Sequence, residues 1–147
     1  CFMKIYIFVI ASILFLGTCW GCHDITEGFL EISKAAYTPE DSLIVRKTLD
    51  PEKDAIRIEN GAPWVSLKME GYLGTEPIIF SIESVTSVDN EKGAAEFIKH
   101  LTIRGAGALV YPQGTSVPAG RYTVSVRLTN PGYSKVVEDC FTFIVVE

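Results

Sequence analysis

From Arg121 to Thr129 apolar and polar residues alternate without a break, with Tyr122, Val124, Val126 and Leu128 on one side and Arg121, Thr123, Ser125, Arg127 and Thr129 on the other. That period of two predicts an antiparallel strand with one buried face. Asn130-Pro131-Gly132 supplies a turn, and "KVVEDCFTFIVV", 135–146, returns as the second strand of a hairpin. Earlier apolar runs are short and repeatedly broken. "SLIVRKTL" at 42–49 ends at Asp50-Pro51, "AIRIE" at 55–59 alternates, and Asn60-Gly61 with Pro63 marks another turn. "WVSLKMEGYL", 64–73, and "PIIFSIESV", 77–85, follow, separated by Gly74 and Pro77. This spacing predicts an all-β meander or Greek key. One stretch changes period: "NEKGAAEFIKHL", 90–101, has Asn90 as a cap and Phe97, Ile98 and Leu101 at helical spacing, which predicts one short helix near 91–100.

The beginning of the chain has a different pattern. Lys4 precedes "IYIFVIASILFLG", Ile5 to Gly17, an unbroken apolar run of the length of a signal-peptide core and shorter than a comfortable bilayer span. Cys1 and Phe2 stand before Met3, the natural translation start. The run ends in "LGTCWGCHD", 16–24, which holds two of the four cysteines at redox or metal spacing. Neither chemistry has its context. A redox pair opens a helix in an α/β unit, and zinc needs a second pair of ligands, whereas the histidines are His23 and His100 alone.

Gly21-Cys22 instead resembles the processing junction of bacterial lipoproteins, in which a small residue precedes a cysteine whose thiol takes up diacylglycerol. That resemblance implies a signal peptide over 1–21, lipidation at Cys22 and a membrane partner. Cys19 and Trp20 depart from the usual residues before the junction, and the frame Leu16-Gly17-Thr18-Cys19 makes Cys19 the alternative. More than one acyl chain would hold the protein stably on a bilayer. The acidic stretch from 22 to 36 then reads as a tether, and Cys140 is left as an unpaired, small apolar residue.

The remainder, 37–147, is one domain. The chain has 147 residues, 21% of them charged, and a net charge of -5 with no Lys/Arg cluster. The missing basic footprint argues against nucleic acid, whose binding depends on neutralising phosphates.

"SVPAGRYTVSVRLTNPGYSK", 116–135, with "FTFIVV", 141–146, resembles the last hairpin of immunoglobulin-like modules. In that resemblance Tyr122 takes the tyrosine-corner position, its hydroxyl bonding back to upstream backbone. The implied fold is an antiparallel Greek-key β-sandwich. With the lipoprotein junction, the chain resembles the surface lipoproteins of Bacteroidota glycan-utilisation systems. This implies an outer-membrane location and a module that binds a polysaccharide or partner surface protein, or acts as the membrane-proximal spacer of a glycan-binding protein. A purely structural or protein-adhesive module without a sugar site is the alternative.

Motifs for catalysis are sparse, and the expectation is a non-enzyme without cofactor or metal. There is no Gly-x-Ser-x-Gly or His-Glu-x-x-His, and Gly105-Ala106-Gly107 lacks the third glycine of a nucleotide fingerprint. Asp89, Asn90 and Glu91 offer three adjacent oxygen-bearing side chains on a turn where calcium needs six or more oxygens. Trp64, Tyr72, Tyr111 and Tyr133 fall near predicted turns or strand ends. On one surface they would form a stacking platform for sugar rings; Trp64 reads equally as the core tryptophan of a sandwich.

Overall fold

The structure, a computed structural model, describes residues 2–16 and 28–147. Cys19, Cys22 and His23 lie outside the described residues. The first described residues form one apolar helix, α1 (Phe2–Leu16). Among the described residues no helix is long and apolar enough to cross a membrane.

The rest of the chain is mostly β. Its elements are β1 (Leu30–Glu31), β2 (Ala36–Tyr37), β3 (Ser42–Arg46), α2 (Ala55–Asn60), β4 (Trp64–Val65), β5 (Met69–Glu70), β6 (Leu73–Gly74), β7 (Ile79–Thr86), α3 (Glu91–His100), β8 (Thr102–Arg104), β9 (Ala108–Tyr111), β10 (Gly120–Asn130) and β11 (Tyr133–Val146). The main sheet runs β3-β11-β10-β7, and a smaller one runs β4-β9-β8. Two short ribbons, β1-β6 and β2-β5, lie beside them.

The alternation of β10 sets the main sheet. Tyr122, Val124, Val126 and Leu128 are buried, as are Phe141, Phe143 and Val145 of β11. Side chains two apart on a strand share a face, so this pattern turns one side of the hairpin into core. A register shift separates Val124 from Val126, and β11 takes up the slack at Asp139, whose φ of 47° is positive. The bulged backbone is held there by a bond from Asp139 N to the buried Ser125 Oγ, at 3.0 Å. The smaller sheet contributes Trp64, Leu109 and Tyr111 to the same core, and α3 closes it with Ala94 and Phe97. Asn90 caps α3 by accepting from Gly93 N at 2.7 Å.

Three expectations need correction. The sheet is not wholly antiparallel, because β3 pairs parallel with β11 from Ser42↔Thr142 to Arg46↔Val146. "AIRIE" forms α2, not a strand, and leaves Ile56 and Ile58 exposed. Local polar bonds decide the helix. Asp50 accepts from the amides of Glu52 and Lys53, Ile58 N bonds Asp54 O, and Gly61 ends the turn at φ 62°. Finally, the fold begins before residue 37. Leu30 is buried in the core and β1 pairs with β6, so residues 30–36, expected to lie outside the domain, belong to the fold.

Candidate functional site

The four aromatic candidates are not brought together. Trp64 and Tyr111 face each other across β4 and β9 and are 2% and 0% exposed, so neither offers a ring to a ligand. The Arg57 guanidinium lies 5.3 Å from the Trp64 ring centre and covers it further. Tyr111 belongs to a parallel stack in which the Phe97 ring lies 4.1 Å from it on one side and 4.7 Å from Tyr122 on the other. Tyr72 is half-buried with its ring edge-on to Phe80. Tyr133 alone is exposed, at 39%. A shared sugar platform made of these residues is therefore corrected to two core rings, one half-core ring and one surface ring. Alternation placed Trp64 and Tyr111 on strands but did not say which face was inward.

Tyr122 is buried, and its hydroxyl donates to Pro118 O at 2.6 Å, tying the loop entering β10 to the strand itself. Of the three polar residues at the start of α3, Asn90 has its side-chain oxygen committed to the helix cap, while Asp89 and Glu91 are exposed. Among the described residues no group of three or more His, Cys, Asp or Glu side chains is placed to hold a metal ion. His100 sits on α3 with Nε2 3.3 Å from Glu96 Oε1. Lys99, and after it His100, hold the Glu96 carboxyl below the ordinary carboxylate range. Cys140 is half-buried, with Sγ 3.4 Å from Val124 O. Burial pushes its thiol up to about 11, which removes the thiolate a nucleophile needs.

A sizeable concavity lies elsewhere. An open cleft of about 740 Å³ is walled by Pro39, Val65, Leu67, Lys68, Glu70 and Arg104. Three segments make it: the chain after β2, the β4–β5 connection, and the end of β8. Met69 N bonds Ala106 O at 2.9 Å, and the Tyr37 hydroxyl bonds Gly107 O, so the β8–β9 turn is fastened to β2 and β5. Ser66 locks the opposite wall, donating from N to Leu109 O and accepting from Leu109 N at Oγ. Lys68 and Arg104 are exposed and have no ion-pair partner among the described residues. Apolar walls with two free cations and one carboxylate suit a ligand that carries negative charge. Sequence reading missed both residues, since cations 36 positions apart form no local motif.

No family model, no curated protein and no solved structure matches this chain.

A second buried polar group lies near Trp64. The Asp54 carboxylate is inaccessible to solvent and accepts from Arg46 Nη1 at 2.9 Å, Arg57 Nη1 at 3.4 Å and Asp50 N at 3.0 Å. These bonds fix α2 against the end of β3. Gln113 adds two donations, to Arg57 O and Ala62 O, and joins the same corner to the segment after β9. Every partner is a structural neighbour, so this cluster reads as a brace.

Proposed function

We propose that the chain is a lipid-anchored, immunoglobulin-like spacer and adhesion module of a bacterial outer membrane, without enzymatic activity. The observation that carries this reading is where the chain enters and leaves the sandwich. Phe29 enters beside the β10–β11 turn, where Asn130 Nδ2 donates to Phe29 O. β11 starts at that turn and runs to Val146 at the opposite end, where it pairs with the end of β3. Bulged at Asp139, β11 covers the length of the 11-residue β10, about 35 Å at roughly 3.3 Å per residue, so the module converts an anchor at one end into reach at the other.

The immunoglobulin-like assignment is supported by strand order. β7, β10 and β11 take the positions of strands C, F and G, and β4, β9 and β8 take those of B, E and D. Tyr122 on β10, bonded to Pro118 O, stands where that fold places its tyrosine corner. Helix α3 makes the crossover from β7 to β8.

The anchor is tested by palmitate labelling in a host that processes lipoproteins. Cys22→Ala is expected to lose the label. Retention in Cys22→Ala with loss in Cys19→Ala moves the anchor, and retention in the double variant overturns it.

The cleft favours protein adhesion over glycan binding, because its charged groups are Lys68 and Arg104 with Glu70, and no exposed ring lines it. Immobilised poly-L-glutamate should retain the protein in low salt and release it when both cations are changed to Glu. Equal retention of wild type and variant would remove the cleft from the reading.

A further inference from the structure

The end at which the chain enters the domain carries its own apolar surface. Leu30 points into the core, so Phe29 and Glu31 on either side of it point outward. Leu73 lies opposite Glu31 in the β1–β6 ribbon and shares that outward face. Phe29 is 57% exposed and Leu73 65%. Tyr133 opens β11 opposite Asn130, whose side-chain amide bonds both Phe29 O and Thr75 O and so draws the hairpin turn against the ribbon. Three large apolar side chains are thus held at one tip by paired backbone. An exposed apolar patch with a polar surround marks a contact surface.

We propose that this tip, Phe29, Leu73 and Tyr133, seats on the bilayer that holds the Cys22 lipid and sets the long axis of the domain against the membrane. The inference rests on the lipid anchor proposed above. The covalent chain chooses the occupant. Seven residue steps separate Cys22 from Phe29 and span at most about 25 Å. A domain of this size is roughly 35 Å across, so a tether that short keeps this tip nearer the acyl chains than the opposite end of the domain. Aromatic and aliphatic side chains at that depth lie about 5–10 Å into the boundary between headgroups and chains. The rim carries the exposed carboxylates Glu31 and Glu76 and, beside Glu31, the single cation Lys135, so it holds no excess of positive charge for anionic lipid and the surface that accepts the tip is a zwitterionic one held by apolar contact. With the tip seated, α3 and the end of β11 face away from the membrane, because β7 runs from Ile79 beside Thr129 to Thr86 beside Thr123 and α3 follows it.

The test places a tryptophan at each end of the full chain: Leu73→Trp at the tip and Ala95→Trp on the exposed side of α3. Each protein is produced with its lipid, the lipid is confirmed by mass, and the protein is reconstituted in phosphatidylcholine vesicles with brominated acyl chains. Emission of the wild type, which comes from the buried Trp64 after processing at Cys22 and from Trp20 as well after processing at Cys19, is subtracted. Emission from the tip tryptophan of Leu73→Trp is expected to fall about twofold and that from the helix tryptophan of Ala95→Trp to stay unchanged, since bromine quenches only rings within the shallow seating depth. Phe29→Asp added to Leu73→Trp should restore most of the emission. Lipidated protein whose tip tryptophan is unquenched, or whose tip and helix tryptophans are quenched alike, overturns the seat and leaves the anchor standing. Protein without lipid at either cysteine overturns anchor and seat together.

Discussion

The Phe97 ring links the two sheets, and its removal should rank among the costliest single truncations in the domain. It is fully buried on α3, parallel to Tyr111 of the smaller sheet and to Tyr122 of the main sheet, with Phe143 at 5.3 Å. Phe97→Ala deletes a ring from a packed site and is expected to cost about 3–5 kcal/mol. Phe97→Leu keeps most of the apolar volume and loses the two ring contacts, each worth roughly 0.5–1.5 kcal/mol, so it should cost about 1–3 kcal/mol. Against a total of about 5–15 kcal/mol for a domain, the Ala variant removes roughly a fifth of the stability or more. Urea unfolding at 25 °C followed by circular dichroism on residues 22–147 measures both. The expected order is wild type above Phe97→Leu above Phe97→Ala, with unchanged slopes if both variants unfold from the same packed state. An Ala variant within about 1 kcal/mol of wild type would refute the linkage, because a ring that bridges two sheets cannot leave a cavity without cost.

Other outcomes follow from single contacts. Tyr122→Phe removes the donor to Pro118 O and should cost about 1–2 kcal/mol by the same urea measurement. A Cβ on Gly93 would come within 2.5 Å of the Tyr122 hydroxyl, so Gly93→Ala should destabilise the wild type clearly and the Tyr122→Phe protein much less; equal costs in both backgrounds would show that the two sites are uncoupled. Asp54→Ala leaves Arg46, Arg57 and the Asp50 amide without their shared acceptor and should cost about 3–5 kcal/mol, read as a drop in thermal midpoint. Burial raises the Cys140 thiol from 9.0 to about 11, so the folded protein keeps a proton there that the unfolded chain releases above about pH 9. The unfolded state then binds fewer protons, and stability falls as pH rises from 9 towards 11; Cys140→Ala should flatten that fall, and an identical pH slope in the variant would refute the assignment.

What could be read from the sequence depended on whether a residue's role was local. The β10 strand, the Asn130-Pro131-Gly132 turn and α3 with its Asn90 cap were all legible, because alternation, turn chemistry and capping act within a few residues. "AIRIE" misled for the same reason in reverse. Its alternation is real, but Ile56 and Ile58 face solvent, and the conformation is set by the buried Asp54 carboxylate and the Asp50 turn, polar groups whose burial no periodicity reports. The parallel pairing of β3 with β11 joins residues 100 apart and follows from packing alone. Tyr72, Tyr111 and Tyr133 show the limit most directly. All three sit at strand ends or turns, and only the placement of a second sheet and a helix separates a core ring from a surface one.

The same separation between local and long-range causes explains how the domain holds without a disulfide or a metal among its described residues. A sandwich needs something to fix one sheet over the other, since apolar packing alone is non-directional. Here the crossover helix does it. Asn90 and its bond to Gly93 set where α3 begins, Gly93 lets the helix approach the Tyr122 hydroxyl, and one turn further on Phe97 enters between Tyr111 and Tyr122. The Tyr122–Pro118 bond then fixes the strand that carries the third ring. Each of these contacts positions the next, so a change at Asn90 should propagate to the stack. Asn90→Ala removes the bond to Gly93 N, for which a helix cap alone predicts about 1 kcal/mol. A loss clearly above that, and smaller when Phe97 is already Leu, is the result expected if cap and stack form one unit; a loss that is the same in both backgrounds would make the cap an independent, local contribution.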